Sequence, residues 1–514
     1  MGVFLLFACG GPSPTESSSI EWPEGLSAPI AAVTFSMSES HLPGGRREYR
    51  DGVHQGFDFF NGLSGRPLAE DEPVVAIDAG EVVRIDHDYQ EPARSALQFW
   101  AAQATSPGFA GEFAIDRLRG RQVWIRHEGG FISRYAHLSA VHPELQLGDA
   151  VEQGEPIGLI GSSGLVPTDD QPEPAPHLHF ELWSADGTSY FGQDRTPLET
   201  HRLIAKHFGP EALPRFAREA VATVEADGAV PDPYPPEQLP ETSFQVNAPV
   251  SVKAGSPFSI PITWENDEFH TGDFFALLEG QTLGIIDADN GAWILGGTPH
   301  GLDMHRVNLV VGGADAYGQT LTGHQAIDID AADPTPQARE VPQATFDLYS
   351  EENLRREAQM LAPVMMRSLE IRDPLWNEPF DAPADGDIVG GFGQRIYHAM
   401  LRPAHPATGI SVMAESGQAV LASNSGYVAL VEDLPIRGRA VALIHGGGVV
   451  SVYGYLADSS VQVGDSVRRG QRIGSIGQSG AAFRPMMFWE MYVAGIASEP
   501  TAWLGQTLPG RTDS

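Results

Sequence analysis

The stretch LQLGDAVEQGEPIGLIGSSG at residues 145–164 returns as VQVGDSVRRGQRIGSIGQSG at 461–480, and the shared frame G-D-x-V-x-x-G-x-x-I-G-x-I-G-x-S-G decides the fold. Short Val and Ile runs punctuated by glycine read as strands and tight turns, and a repeat of this length implies two copies of one fold. The match extends outward: FISRYAHLS (131–139) aligns with VVSVYGYLA (449–457), PHLHFEL (176–182) with PMMFWEM (485–491), and HQGFD (54–58) with ATGIS (407–411). Position 137 lies 79 residues after 58, whereas 455 lies 44 after 411, an excess of 35 in the first copy. The segment EPARSALQFWAAQATSPGFAGEFAIDRLRG (91–120) accounts for it; it is expected to begin with a short helix and to leave the sheet.

Within PHLHFEL, side chains alternate faces, so His177 and His179 share one face and Leu178 and Phe180 the other. A surface strand with a polar outer face would carry the same pair. The repeat argues otherwise: His54 is replaced by Ala407, Asp58 by Ser411, His137 by Tyr455, His177 by Met486 and His179 by Phe488, while the glycine frame survives. Five losses at one set of positions read as one site held by one copy. Catalytic zinc takes three His or carboxylate ligands and leaves a position open to water. His54 and Asp58, spaced i and i+4 around Gly56, face one side, and His179 completes three. His137 and His177 are then placed to move a proton or hold an oxyanion. His127, His142 and His201 fall outside this set and read as surface or local hydrogen-bonding residues.

At 514 residues the chain is expected to hold about three domains. With 32 basic against 67 acidic residues, its net charge of −35 opposes docking on a polyanion, so no nucleic-acid partner is expected. The single cysteine, Cys9, excludes an internal disulfide and any zinc site built on two or more cysteines. The start, MGVFLLFACGGPSPTESSS, is similar to a bacterial lipoprotein signal with Leu6-Phe7-Ala8-Cys9 as the lipobox and Cys9 as the lipidated residue. The absence of Lys or Arg near Met1 and the short apolar run place the expected true start upstream. No other segment has about 20 uninterrupted apolar residues, so membrane association is expected through the N-terminal lipid only.

Residues 1–25 read as signal and flexible tether, and 26–196 as the first repeat domain. A helical segment and the Pro-rich linker PDPYPPEQLPE occupy 197–242, and 243–332 reads as an immunoglobulin-like β-sandwich. Residues 333–380 form a linker whose part 350–371 has helical spacing, and 381–514 is the second repeat domain. The expected fold class is mostly β, with two antiparallel β domains flanking the sandwich and short helical linkers.

HQGFD, YAHLS and HLHFE, with GDAVEQGEPIGLIGSSG between the last two, resemble the M23 metallopeptidases of the lysostaphin or LytM type. The resemblance covers about 31–191 fully and 381–505 as a degenerate copy; the 91–120 insertion departs from the pattern. It implies Zn2+ held by His54, Asp58 and His179, a catalytic pair of His137 and His177, and hydrolysis of peptide bonds in peptidoglycan stems or cross-bridges. By the same resemblance the second copy binds wall peptide or another envelope protein, or is kept for packing. The implied location is the cell envelope, lipid-anchored at the periplasmic face of the outer membrane, or secreted. Two other classes stand beside this one. The first is a non-catalytic envelope regulator that binds peptidoglycan and activates another wall hydrolase; the second is a secreted peptidase aimed at Gly-rich proteins or rival cells. The acidic stretch VPTDDQPEPAP, with Asp169 and Asp170, is expected to bias the site toward amine-bearing stems.

Overall fold

The alternation read in HLHFEL builds a central strand buried on both faces. A computed structural model describes residues 20–47, 52–69, 71–104, 109–167, 172–236, 238–265, 269–300, 305–332, 338–399 and 406–508. Cys9, Asp169 and Asp170 lie outside them. The chain divides into two units, Met1–Leu239 and Pro240–Ser514.

In the first unit the strands are β1 (Phe57–Phe60), β2 (Pro73–Val75), β3 (Gly80–Ile85), β4 (Val123–His127), β5 (Ile132–Ala136), β6 (Ala140–Val141), β7 (Ala150–Val151), β8 (Pro156–Leu159) and β9 (His177–Trp183). They form a six-stranded sheet of order β1-β9-β5-β4-β3-β7 and a three-stranded sheet of order β2-β8-β6, both antiparallel. Phe57, Phe59, Tyr135 and Phe180 are fully buried, and Phe35 packs edge-on against Phe57, Phe59 and Phe208 at 4.8–5.0 Å between ring centroids.

The 91–120 segment contains two helices, α1 (Arg94–Gln103) and α2 (Phe109–Leu118), where one short helix is expected from sequence. Leu97, Ala104, Ala114, Ile115 and Leu118 form their shared core, which explains why neither stands alone. Residues 197–224 are also two helices, α3 (Pro197–Phe208) and α4 (Arg215–Asp227). A Thr196–Glu199 capping box starts α3, and Gly209 at φ 90° followed by Pro210 ends it.

In the second unit, residues 245–330 form two sheets. One has the order Gln245–Val246, Pro257–Thr263, Gly291–Gly297, Gly284–Ala288; the other Ser251–Lys253, Thr320–Asp330, His305–Ala314, Phe275–Leu278, Gln281–Thr282. Ile260, Ile262 and Ile294 from the first and Leu309, Val311 and Ile327 from the second share one core. Helices α5 (Gln343–Asp347) and α6 (Glu351–Glu370) follow. Next come β10 (Gly409–Met413), β11 (Gly426–Leu434), β12 (Gly438–Gly446), β13 (Val449–Ser459) and β14 (Met486–Val493). Their order in the sheet, β10-β14-β13-β12-β11, repeats β1-β9-β5-β4-β3. Leu434 pairs with Gly438, so β11 and β12 make a tight hairpin where the first unit has α1 and α2.

Candidate metal centre

β1 and β9 pair antiparallel with His179 opposite Asp58 and His177 opposite Phe60. Directly opposed residues have Cβ atoms about 4.5–5.5 Å apart, so this register alone joins Asp58 to His179. Gly56 lets the chain before β1 run against β9, since a Cβ there would lie 2.3 Å from the Phe180 carbonyl oxygen. His54 is thereby brought in: its Nε2 is 3.1 Å from both Asp58 Oδ1 and His179 Nδ1, and His179 Nδ1 is 2.7 Å from Asp58 Oδ1. All three residues are buried.

Hydrogen bonds behind the rings fix what the triad can hold. His54 Nδ1 lies 3.0 Å from the Leu42 carbonyl, which can only accept, so Nδ1 donates and Nε2 carries a lone pair. His179 Nε2 donates to Glu181 Oε1 over 2.9 Å, which leaves Nδ1 as the acceptor. With both imidazoles neutral, three acceptor atoms face one another, and a metal cation between them, or without metal a proton on one ring, relieves the repulsion. Zinc bonds of about 2.0–2.1 Å in a tetrahedron set neighbouring donors about 3.3 Å apart, close to the observed triangle. Two nitrogens and one carboxylate oxygen suit zinc better than the oxygen-seeking Mg2+ or Ca2+. Burial alone would raise the Asp58 carboxyl, but the adjoining His54 and His179 hold it well below its usual range.

The structure brings His137 and His177 to the same place, with ring centroids 4.9 Å apart. His137 leaves the end of β5 at φ 63°, held there by a 2.9 Å bond from its backbone N–H to the Arg119 carbonyl. Its Nδ1 donates to the Ser163 carbonyl at 2.9 Å. His177 stacks on Phe60 at 4.1 Å and donates from Nδ1 to the Ala175 carbonyl at 3.1 Å, so its Nε2, 3.9 Å from Asp58 Oδ1, is the basic nitrogen. Burial lowers its pKa, which keeps the ring neutral at pH 7.

Glu181 and Arg119, which sequence reasoning did not single out, support this set. Glu181 is fully buried and accepts from Arg119 Nε (2.9 Å) and Nη2 (2.8 Å), from His179 and from Trp183 Nε1 (2.7 Å). Burial would raise its carboxyl, but Arg119 and His179 outweigh that and hold it well below its usual range. The repeat carries the signal that finds the pair, because Glu490 and Arg437 occupy the same positions and bond to each other at 2.5 and 2.6 Å.

The rest of the second domain follows the same register with other side chains. Ser411 stands opposite Phe488 and Met413 opposite Met486. Tyr455 keeps the left-handed backbone at φ 65° and the bond from its N–H to the Arg437 carbonyl at 2.7 Å. Tyr455, Met486 and Phe488 form an apolar cluster with Ile436, against which Ala407, Leu348, Tyr349 and Leu354 pack. Glu357 of α6 joins Arg437 in a buried ion pair. By contrast, the structural histidine is retained: His127 bonds Ala79 O and Ser133 Oγ, and His445 bonds Ser425 O and Ser451 Oγ. His127 and His201 are buried rather than on the surface, and His201 is held by Tyr234 Oη at 2.6 Å and Ser36 O at 3.1 Å; His142 is half-buried.

A His-Asp-His triad of this geometry, on a sheet whose plan occurs twice, is consistent with a zinc-binding active site of the M23 type. Residues 52–190 and 405–500 match peptidase family M23, and the chain carries two domains of that superfamily. The murein hydrolase activator EnvC of Escherichia coli (strain K12) is 39% identical over 98 residues, 19% of this chain and 23% of that protein. The peptidoglycan DD-endopeptidase ShyA of Vibrio cholerae is 31% identical over 108 residues, 21% of this chain and 25% of that protein. The chain thus spans about a quarter of the length of these curated relatives. Among solved structures, the catalytic domain of the antimicrobial peptidase lysostaphin from Staphylococcus simulans is 24% identical, covering 23% of this chain and 90% of that one at a TM-score of 0.21. Among the described residues, no helix is long and apolar enough to cross a membrane.

Proposed function

We propose that the first domain is a zinc-dependent metalloendopeptidase that hydrolyses peptide bonds of peptidoglycan stems or cross-bridges. The observation that carries this reading is the triangle of His54 Nε2, Asp58 Oδ1 and His179 Nδ1, whose lone pairs converge because Leu42 and Glu181 take the other ring protons. Zinc held there supplies a Lewis acid and lowers the pKa of water to about 7. His137 and His177 each have Nδ1 tied to a carbonyl, so each offers Nε2 to the reaction. One imidazole accepts the proton of the attacking water as its oxygen bonds to the carbonyl carbon. The other, protonated, donates a hydrogen bond to the developing oxyanion. The proton then passes to the amide nitrogen as the C–N bond breaks, so no proton is gained or lost.

The second domain is read as degenerate and without zinc, because Ala407, Tyr455, Met486 and Phe488 offer no metal ligand and are packed together. A regulatory reading attaches to this domain, since one relative's name is that of a hydrolase activator. Attachment to the envelope through a lipid on Cys9 is part of the same proposal.

Incubation of the chain from Ser27 onward with peptidoglycan sacculi, beside a His179→Ala variant, tests the proposal through the mass spectra of released fragments. Peptide-bond cleavage that vanishes in the variant supports the endopeptidase. A folded, zinc-loaded chain that releases nothing overturns it in favour of the regulator.

A further inference from the structure

The insertion contributes Glu91, Arg94 and Leu97 to a cavity of about 700 Å³ whose lining also includes Leu138 and Pro176, the residues next to His137 and His177 in the chain. One wall is Tyr89, Glu91, Arg94 and Leu97; the other is Leu138 and Ser163, the residue after His137 and the residue whose carbonyl holds its Nδ1. Glu91 clamps the two walls together, accepting from Gly164 N–H at 3.0 Å and from Tyr89 Oη at 3.1 Å. Exposed Glu173 stands at the rim.

Arg121 faces this space. Its backbone N–H is fixed by Ser163 Oγ at 2.9 Å, and its guanidinium lies over the Tyr89 ring at 5.5 Å, with Nη2 3.4 Å from the Tyr89 carbonyl. It has no carboxylate partner among the described residues. The second domain supplies the contrast. Arg439 holds the same position, its N–H fixed by Ser479 Oγ at 3.0 Å, but there the β11–β12 hairpin brings Asp433 to 3.3 Å. In register the first domain has His87 where the second has Asp433, so it keeps the arginine and lacks the neutralising carboxylate. A half-buried guanidinium stacked on an aromatic ring, in a cavity lined by the chain neighbours of His137 and His177, suits forked binding of a carboxylate.

We propose that Arg121 is a specificity subsite that binds a free carboxylate of the peptide substrate next to the scissile bond. This rests on the endopeptidase reading for the identity of the peptide, and the test separates the two. Binding of a peptidoglycan stem tetrapeptide to the full chain is measured by calorimetry in chelator, where no cleavage occurs, with each carboxylate of the peptide amidated in turn. One amidation is expected to weaken wild-type binding about tenfold or more, and Arg121→Gln is expected to bind that amide and the acid alike. Arg121→Lys, which keeps the charge and loses the fork, is expected to show reduced discrimination, and it serves as the second variant should Arg121→Gln unfold. Absence of binding, indifference of the wild type to every amidation, or undiminished discrimination in both variants overturns the subsite. Discrimination at Arg121 by a chain that does not digest sacculi leaves the subsite standing and removes the endopeptidase.

Discussion

His179 and Glu181, two residues apart on one face of β9, are joined by a 2.9 Å bond from Nε2 to Oε1, so the buried carboxylate fixes which nitrogen of His179 faces Asp58. Partners of this kind orient a ligand and raise its basicity. Glu181→Gln is therefore expected to weaken zinc binding by about 10–100-fold in a competition titration against a chromophoric chelator. Glu181→Ala leaves Arg119 buried without its partner and is expected to cost about 3–5 kcal/mol in denaturant unfolding. A zinc affinity unchanged in Glu181→Gln would show that the bond does not act on the metal.

Zinc stoichiometry separates the two domains. The full chain is expected to bind one zinc ion, and Asp58→Asn or His179→Ala none, as read by elemental analysis after dialysis. Two ions per chain would contradict the reading of Ala407, Tyr455, Met486 and Phe488 as a site without ligands.

His137 and His177 are predicted to act on protons and not to hold metal. His137→Ala or His177→Ala should keep one zinc per chain and lose about 10²–10⁴-fold in cleavage rate. His137 has φ 63°, so its replacement by alanine also strains the left-handed backbone. His137→Gly removes the same imidazole without that strain and should be as inactive but more stable than His137→Ala. Loss of zinc from either His137 variant would move His137 into the ligand set.

Gly56 and Gly409 cross the neighbouring strand at the same place, where a Cβ would meet Phe180 O at 2.3 Å and Trp489 O at 2.2 Å. Gly56→Ala must push β1 away from β9, separating Asp58 from His179. Reduced stability together with weaker zinc binding is expected. Gly409→Ala should lower stability and leave zinc binding alone. Calorimetric unfolding with zinc titration of both variants checks this.

The pH dependence of the metal-free chain has two windows. His201 and His445 are buried neutral, and burial pushes each pKa down to about 4 from an ordinary 6.5. As pH falls below 6.5 the unfolded chain takes up protons that the folded chain refuses. Stability is therefore full above about 6.5 and declines toward pH 4, by about 3 kcal/mol for each histidine. Asp58 and Glu181 have depressed folded pKa values, so their contribution persists to about pH 4 and is lost only as pH falls further. Urea unfolding at pH 7, 6 and 5 should show the first decline, and His201→Gln should reduce it in the N-terminal unit. A stability that does not change from pH 7 to 5 would contradict the neutral, buried state of these rings.

What the sequence determined by itself is local and periodic. Alternation along a strand puts His177 and His179 on one face whatever the strand packs against, and comparison of two copies separates retained positions from exchanged ones. That logic also applies to Glu181 and Glu490 or His127 and His445, retained pairs whose roles are structural support. Helix breaks were less legible, because Gly209–Pro210 and the mutual packing of α1 on α2 override a continuous apolar spacing. Only the tertiary structure decided which buried charges meet. Arg119 reaches Glu181 across 62 positions, and Arg437 shares its charge with Glu490 and Glu357, because long side chains pair by proximity after folding. It likewise decided that Arg121 faces an open cavity while Arg439 faces Asp433. That difference arises from His87 standing where the second domain has Asp433 and from the helices inserted after it, and only the folded register shows which arginine each residue meets.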